Sequence, residues 1–349
     1  MTWKPTRPVP RAPRERLFSA RYKVEPEDFV VEELPAYEPC GEGHHVFALV
    51  EKRGLSTFDL LDRIGAALDL HPRAIGYAGL KDARSVSRQW LSLPDVDERR
   101  VLALGDPTFT VLRAKRHGNK LQKGHLRGNR FTVRLRGAGE EGLERARAQI
   151  ADLERRGVPN YFGEQRFGKR GANLRKGLEI LRGNPRVFLR SMPRRLFGLM
   201  VSAVQSEVFN RVVIRRIDSL SVLREGDIAF LHRNGACFRP KLPDDQSRAD
   251  ALEISPTGPL PGVKMMRADG EVRALEQEVL GELDLDLESF AVLPSKIAPG
   301  DRRPLSVPLR DGSAERDGDD LLVSFSLPKG SYATAALREM LRETIWFAG

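Results

Sequence analysis

β-branched and aromatic residues concentrate at 28–34 and again at 45–50, and both stretches read as strands, separated by a loop holding Pro35, Pro39, Gly41 and Gly43. The period then changes. Ser56 with Asp59 three residues later resembles a capping box, and it opens a helix whose apolar positions Phe58, Leu61, Ile64 and Leu68 share one face. Short strands are expected near 75–77, 87–91 and 109–114. A loop rich in glycine, lysine and arginine, 117–127, leads into Phe131-Thr132-Val133-Arg134-Leu135-Arg136, whose alternation predicts a strand with one wet face. A charged helix follows over 141–156.

Gly157-Val158-Pro159 ends that helix and reads as a boundary. Helices are expected over 172–181 and 197–217, and a surface loop over 240–250 from its proline and aspartate content. Composition shifts again near Arg302 and Arg303. A strand over 321–327 and the turn Pro328-Lys329-Gly330-Ser331 precede a last helix over 333–344. No internal repeat interrupts this order. The pattern is α+β, with strand-rich ends bracketing a more helical middle, as when one domain is inserted into another.

At roughly 150 residues per domain, a length of 349 supports two or three domains. A hydrophobic content of 40% excludes an intrinsically disordered chain. No apolar run approaches the roughly 18 residues of a membrane span. Residues 1–16 are basic and proline-rich with no apolar segment behind them, and read as a flexible tail instead of a signal peptide. Two cysteines, Cys40 and Cys237, cannot build a disulfide framework, so a reducing compartment is expected. These features together predict a soluble cytoplasmic protein with no membrane partner.

Charge sharpens the picture because it is uneven. Residues 113–216 hold 26 basic and 8 acidic side chains, more excess than the net +10 of the whole chain, and 45 of the 58 basic residues are arginine. The planar guanidinium fork suits phosphate, so this field points to a polyanion, either RNA or DNA. Gly137-Ala138-Gly139-Glu140-Glu141-Gly142 matches a dinucleotide fingerprint in spacing only. Its two carboxylates would repel a pyrophosphate at the helix N-terminus. Cys40 with His44 and His45 lacks a fourth ligand, so no metal is expected.

Three segments carry residues that packing alone does not explain. In Gly76-Tyr77-Ala78-Gly79-Leu80-Lys81-Asp82-Ala83-Arg84, followed by Arg88, the carboxylate of Asp82 stands among cations that would keep it ionised. It is available as a nucleophile or base, or serves as a turn cap. In Gly128-Asn129-Arg130-Phe131, Asn129 can meet a base edge and Phe131 a base face, or the two are a turn residue and a core residue. In Pro159-Asn160-Tyr161-Phe162-Gly163-Glu164-Gln165-Arg166-Phe167-Gly168, neither strand nor helix period fits. An ordered loop with Phe162 and Phe167 as core plugs is expected.

In order and spacing these segments resemble the tRNA pseudouridine synthase D (TruD) family. Its Gly-x-Lys-Asp, Gly-Asn-x-Phe and Asn-Tyr-Phe-Gly-x-Gln-Arg-Phe-Gly motifs stand here at 79–82, 128–131 and 160–168, and the matching pattern spans about residues 17–345. Lys23-Val24-Glu25-Pro26-Glu27-Asp28-Phe29 and Gly330-Ser331-Tyr332-Ala333-Thr334 also match. The resemblance implies a pseudouridine synthase catalytic domain, a mixed, mainly antiparallel sheet with helices, at 17–156 plus 306–349. An inserted α+β TRUD domain at 157–305 would form the other wall of an RNA cleft. It further implies a cofactor-free isomerase that converts the uridine at position 13 of tRNA to pseudouridine, working as a monomer. Asp82 would be the nucleophile, with Lys23 pairing it. Phe29, Asn129, Phe131 and Tyr332 would meet the substrate, Tyr332 standing where phenylalanine is also found. Gln165 and Arg166 from the third motif, and Lys120 and Lys123 from the basic loop, are further RNA-contact candidates. The competing readings are the same chemistry on another RNA and a non-catalytic RNA-binding or chaperone protein.

Overall fold

In the computed structural model, which describes residues 5–6, 10–11 and 13–342, the chain divides into two units. A sheet unit takes Arg14–Ala151, Leu309–Ser331 and the described residues from Met340 onward. A second, more helical unit takes Asp152–Pro308, Tyr332–Glu339 and the described residues up to Pro13.

The chain begins in the sheet unit with β1 (Phe29–Pro35), β2 (His45–Arg53), α1 (Thr57–Leu68), β3 (Gly76–Tyr77), β4 (Val86–Pro94), α2 (Glu98–Leu102), β5 (Gly105–Asp106), β6 (Phe109–His117), β7 (Leu126–Leu135) and α3 (Gly139–Arg156). It continues through β8 (Val158–Pro159), α4 (Ala172–Arg182), α5 (Pro185–Ser191), α6 (Arg194–Arg215), β9 (Ala229–Leu231), β10 (Cys237–Phe238) and α7 (Gln246–Asp250). Then come β11 (Ile254–Leu260), α8 (Gly270–Gly281), α9 (Glu288–Ala291), β12 (Asp301–Pro304) and β13 (Ser306–Val307). The hairpin β14 (Arg310–Asp317) and β15 (Asp320–Pro328) returns to the sheet unit, and α10 (Ala333–Arg338) closes the helical one.

Nine strands form the large sheet in the order β14-β15-β7-β1-β4-β2-β6-β5, with β3 also on β4. Only the β1–β4 pair is parallel. The intervening β2, α1 and β3 supply the long connection that a parallel pair requires. The returning β15 sets Phe325 opposite Phe131 and Pro328 opposite Gly128 of β7. A Cβ on Gly128 would lie 2.2 Å from the Leu327 carbonyl oxygen, so this strand contact admits only glycine there.

Period-two alternation directs Val46, Ala48 and Val50 of β2 and Leu91 and Leu93 of β4 to one face, where α1 covers them with Leu60, Leu61, Ile64 and Leu68. Ser56 caps α1 by accepting from the Asp59 N–H, as its spacing indicated. Phe58 departs from the expected stripe. It lies in the first turn, is 52% exposed, and leaves the core to Leu60.

In the helical unit, α4, α6 and α8 bury Leu174, Leu178, Val204, Phe209 and Val279 in one core. Helix α6 satisfies the length and composition test for a membrane span that no run of the sequence was expected to meet, but most of its apolar window is buried inside the protein. A four-stranded antiparallel sheet, β10-β9-β11-β12, and the pair β13-β8 complete the unit. These strands were not legible, since β11 reads Ile-Ser-Pro-Thr-Gly-Pro-Leu, a composition that disfavours strands until burial imposes one. Residues 240–250, expected as loop, end in the short α7.

The last helix ends at Arg338, and the 343–344 portion of its expected range lies outside the described residues. Of the expected N-terminal tail, 1–4, 7–9 and 12 also lie outside them. Thr6 donates its N–H to Glu207 at 3.0 Å and Arg11 donates its N–H to Glu339 at 3.0 Å.

Gly177 permits the close approach of α4 and α6: a Cβ there would sit 2.3 Å from the Met200 carbonyl oxygen. Gly177→Ala is expected to force the helices apart and destabilise the protein by about 2 kcal/mol, read from urea unfolding, despite alanine's better helix propensity.

Candidate active site

The loop between β3 and β4 carries Asp82, which is held at three points. Its Oδ2 accepts from Lys23 Nζ at 2.7 Å, its Oδ1 accepts from the Arg84 N–H at 3.1 Å, and its backbone carbonyl accepts from Lys52 Nζ at 2.9 Å. Burial by itself would push this carboxyl up. The Lys23 hydrogen bond and charge, the Arg84 N–H and Lys52 outweigh it and hold Asp82 below the ordinary 3.8. The side chain stays 42% exposed, so an ionised oxygen remains open to a ligand. Asp82 therefore forms an Asx turn while its carboxylate stays partly accessible.

Two of the cations near Asp82 in sequence turn to other carboxylates. Lys81 is committed elsewhere: its Nζ donates to Glu33 at 2.7 Å and to Asn129 Oδ1 at 2.8 Å. Arg88 pairs with Glu51. Lys23, some sixty residues away in sequence and expected beside Asp82 from the family resemblance, is the ammonium within hydrogen-bond distance of its carboxylate. It adopts φ +57°, a left-handed backbone that costs a lysine about 1 kcal/mol or more. The segment that delivers it is clamped by Asp28, which is fully buried. Asp28 Oδ2 accepts from the N–H groups of Val24 and Glu25, and its carboxylate receives Arg136 in a bidentate pair, with Nη2 at 2.7 Å.

Beneath the pair lie the predicted aromatics. Lys23 Nζ stands 4.1 Å from the Phe29 ring centre, and Phe29 meets Phe131 at 6.0 Å, which in turn meets Phe325 at 5.7 Å. Phe29 and Phe131 are buried, so their rings form the floor of the site more than an open platform. In the β1–β7 ladder Val31 faces Phe131 and Glu33 faces Asn129, placing the amide at the polar end of that floor. The structure thus brings together Lys23, Asp82, Phe29, Phe131 and Asn129.

Other candidates lie elsewhere. Lys120 and Lys123 line a pocket none of whose lining residues belongs to this group. Gln165, Arg166 and Tyr332 belong to the helical unit. There Gln165 is exposed, Arg166 donates to Ser206 Oγ at 3.1 Å, and the Arg303 guanidinium lies 4.2 Å from the Phe162 ring centre. Burial pushes Arg303 down to about 10, with Tyr332 opposing and Arg166 reinforcing the shift.

The arginine field is less free than its charge suggested. Arg134 pairs with Asp317 and Asp320, Arg136 with Asp28, Arg156 with Asp152 and Arg216 with Asp227. Much of it therefore braces the fold. A cluster at 169–195, nine basic residues against Glu179, keeps Arg186, Arg190, Arg194 and Arg195 exposed.

With this geometry in view, the comparisons with known proteins are decisive. The family model for tRNA pseudouridine synthase D (TruD) matches residues 16–191 and 186–340. The chain belongs to the tRNA pseudouridine synthase D family. The tRNA pseudouridine synthase D of Geobacter metallireducens is 43% identical over 376 aligned residues, covering 90% of this chain and 93% of that protein. A counterpart from Thermus thermophilus is 40% identical, covering 92% and 88%. A solved TruD structure from Methanosarcina mazei superposes with a TM-score of 0.77 at 25% identity, covering 94% of each chain. In this TruD chain the glycine of Gly-Asn-x-Phe has its own physical reason, the Leu327 carbonyl pressed against it.

Sequence reasoning missed Glu33, Lys52 and the Asp28–Arg136 clamp. For two of them a signal existed. Glu33 follows Phe29 and Val31, and Lys52 follows Val46, Ala48 and Val50, so each is a charge at an inward parity. Lys52 is fully buried, donating to Asp82 O and Leu55 O, and burial pushes its ammonium down to about 8 against the pull of Asp82. Lys52→Met, which leaves both carbonyls without this donor, is expected to destabilise the protein by about 1–3 kcal/mol in urea. The unfolded lysine titrates near 10.5 and the folded one near 8, so the unfolded chain binds the extra proton between them. Over that window wild-type stability should rise with pH relative to Lys52→Met.

Proposed function

We propose that this chain isomerises the uridine at position 13 of tRNA to pseudouridine, with Asp82 as the nucleophile and no cofactor. The reaction exchanges the N1–C1′ glycosidic bond for a C5–C1′ bond. C5 gives up its proton and N1 gains one, so substrate and product have the same atoms and no redox equivalent is consumed. What the protein must supply is an ionised nucleophile beside an extruded base, screened from water.

The observation that carries this reading is the Asp82 carboxylate, half-exposed yet kept ionised by Lys23. Each of its oxygens accepts one bond and retains a second lone pair for the substrate. Lys23 aims the carboxylate and maintains its charge. Asn129 presents its carbonyl to Lys81, which turns its amide N–H groups toward an incoming uracil edge. Phe29 and Phe131 give that uracil an apolar floor. Extruding a base costs a few kcal/mol, and stacking returns about 1–3 kcal/mol per base. Gln165, Arg166 and Tyr332 contact the tRNA from the helical unit, where the exposed arginines of 186–195 neutralise phosphates.

Asp82→Asn is expected to fold and to bind a tRNA transcript within a few-fold of wild type, while pseudouridine formation falls by roughly three decades or more. Turnover above about one per cent of wild type would remove Asp82 from the nucleophile role. Mapping the product by sequencing tests position 13 in the same experiment.

Lys23→Met should act through pH. Wild-type Asp82 ionises below 3.8, so its charge, and the stability its partners confer, persist above that pH and are lost as pH falls through the lower folded value. Without Lys23, burial is opposed by fewer partners, and the acid limb of the kcat/KM profile should move to higher pH. A limb that stays in place would refute the assigned role of Lys23.

A further inference from the structure

A cavity of about 590 Å³ whose lining includes neither Lys23 nor Asp82 opens in the sheet unit, lined by Phe58, Tyr77, Arg73, Lys120 and Lys123 among others. Of its two aromatic side chains, Tyr77 packs partly against the core beneath α1, whereas Phe58 stands outside it. Phe58 is 52% exposed although Leu60, Leu61, Ile64 and Leu68 of the same helix are buried. Fully burying such a ring is worth about 1.5–3 kcal/mol, and with Phe58 52% exposed the fold forgoes about half of that. Tyr77 meets it edge-on, with ring centres 6.4 Å apart at 83°, and Lys123 Nζ lies 5.3 Å from the centre of the Tyr77 ring.

The wall opposite is preformed. Lys120 Nζ donates to the Arg73 carbonyl at 2.8 Å, the Leu121 N–H donates to Ser92 Oγ at 2.9 Å, and the Gly124 N–H donates to the Ala78 carbonyl at 2.8 Å. The basic loop also presses onto β3 so closely that a Cβ on Gly76 would lie 2.4 Å from the Leu121 carbonyl oxygen. Arg73, Lys120 and Lys123 face a single carboxylate in the lining, Asp62, so the cavity is electropositive. A cavity of this volume accommodates one nucleotide. Two aromatic faces beside cations are what an unstacked base with its phosphate requires.

We propose that this cavity is a second nucleotide subsite, taking one unstacked nucleotide of the RNA substrate with its base against Phe58 and Tyr77 and its phosphate against Lys123. It rests on the tRNA reading above and extends it to a position other than the target uridine. Stacking is tolerant of base identity, so the subsite contributes affinity and register instead of chemistry.

The experiment compares wild type, Phe58→Ala, Phe58→Tyr and Lys123→Ala for binding a tRNA transcript and for pseudouridine formation at saturating transcript. Phe58→Ala should raise the Kd about tenfold with kcat within twofold of wild type, and Phe58→Tyr should restore the affinity. Lys123→Ala should raise the Kd and reduce the salt slope by about one. Equal affinity for Phe58→Ala and wild type, or a loss of kcat without loss of affinity, overturns the subsite. Binding of free uridine monophosphate that Phe58→Ala abolishes, with tRNA affinity unchanged, likewise overturns the assignment to RNA. An active wild type with an unaffected Phe58→Ala sinks the subsite alone. An inactive wild type whose tRNA affinity falls in Phe58→Ala supports the subsite and sinks the isomerase reading alone.

Discussion

A carboxylate partly withdrawn from water holds its charge only if other groups replace the hydration it loses, and at Asp82 those groups are Lys23, the Arg84 N–H and Lys52. Lys23 is the principal replacement, and it reaches Asp82 from a left-handed backbone position that the chain would not choose unaided. The conformation persists because Asp28 fastens the following turn while Arg136 neutralises Asp28 from the end of β7. Lys52 completes the arrangement from below by gripping the backbone carbonyl of Asp82. The proposed nucleophile is therefore held at its main chain by Lys52, while Lys23 aims and charges its carboxylate.

The same economy governs the surrounding charges. Lys81, adjacent to Asp82, would be the obvious ion-pair partner, yet it satisfies buried Glu33 and fixes the carbonyl of Asn129. That commitment links the Gly-x-Lys-Asp and Gly-Asn-x-Phe motifs through one ammonium group. A buried pair of this kind adds little net stability but leaves a costly uncompensated charge if either partner is lost, which ties the two motifs to one geometry. The helical unit treats arginine similarly, using Arg216 with Asp227 and Arg302 with Glu276 as internal braces while other arginines stay exposed.

Family membership and the site proposal rest on different supports. The matches along the chain establish the tRNA pseudouridine synthase D family, and the carboxylate, amide and aromatic floor gathered from 23 to 131 make the proposed chemistry physically reasonable. Phe29 and Phe131 are more enclosed than an open stacking platform would be, so their contribution is to shape and dry the floor beneath a base.

Periodicity and punctuation determined the local elements: β1, β2, α1, β7, α4, α6 and β15 follow from alternation, from helical spacing and from the Ser56 cap, because those signals are carried by neighbours in the chain. The motifs likewise marked Asp82, Asn129 and the 160–168 corner, whose Phe162 and Phe167 are buried as expected. Only tertiary structure decided that Lys81 and Arg88 are drawn away from Asp82, that Phe58 is left outside the core, that a proline-containing segment becomes β11, and which arginines remain exposed. Those outcomes depend on groups tens to hundreds of residues apart, such as Lys81 with Glu33 or β7 with β15, and a linear pattern holds no record of the distance between them in space.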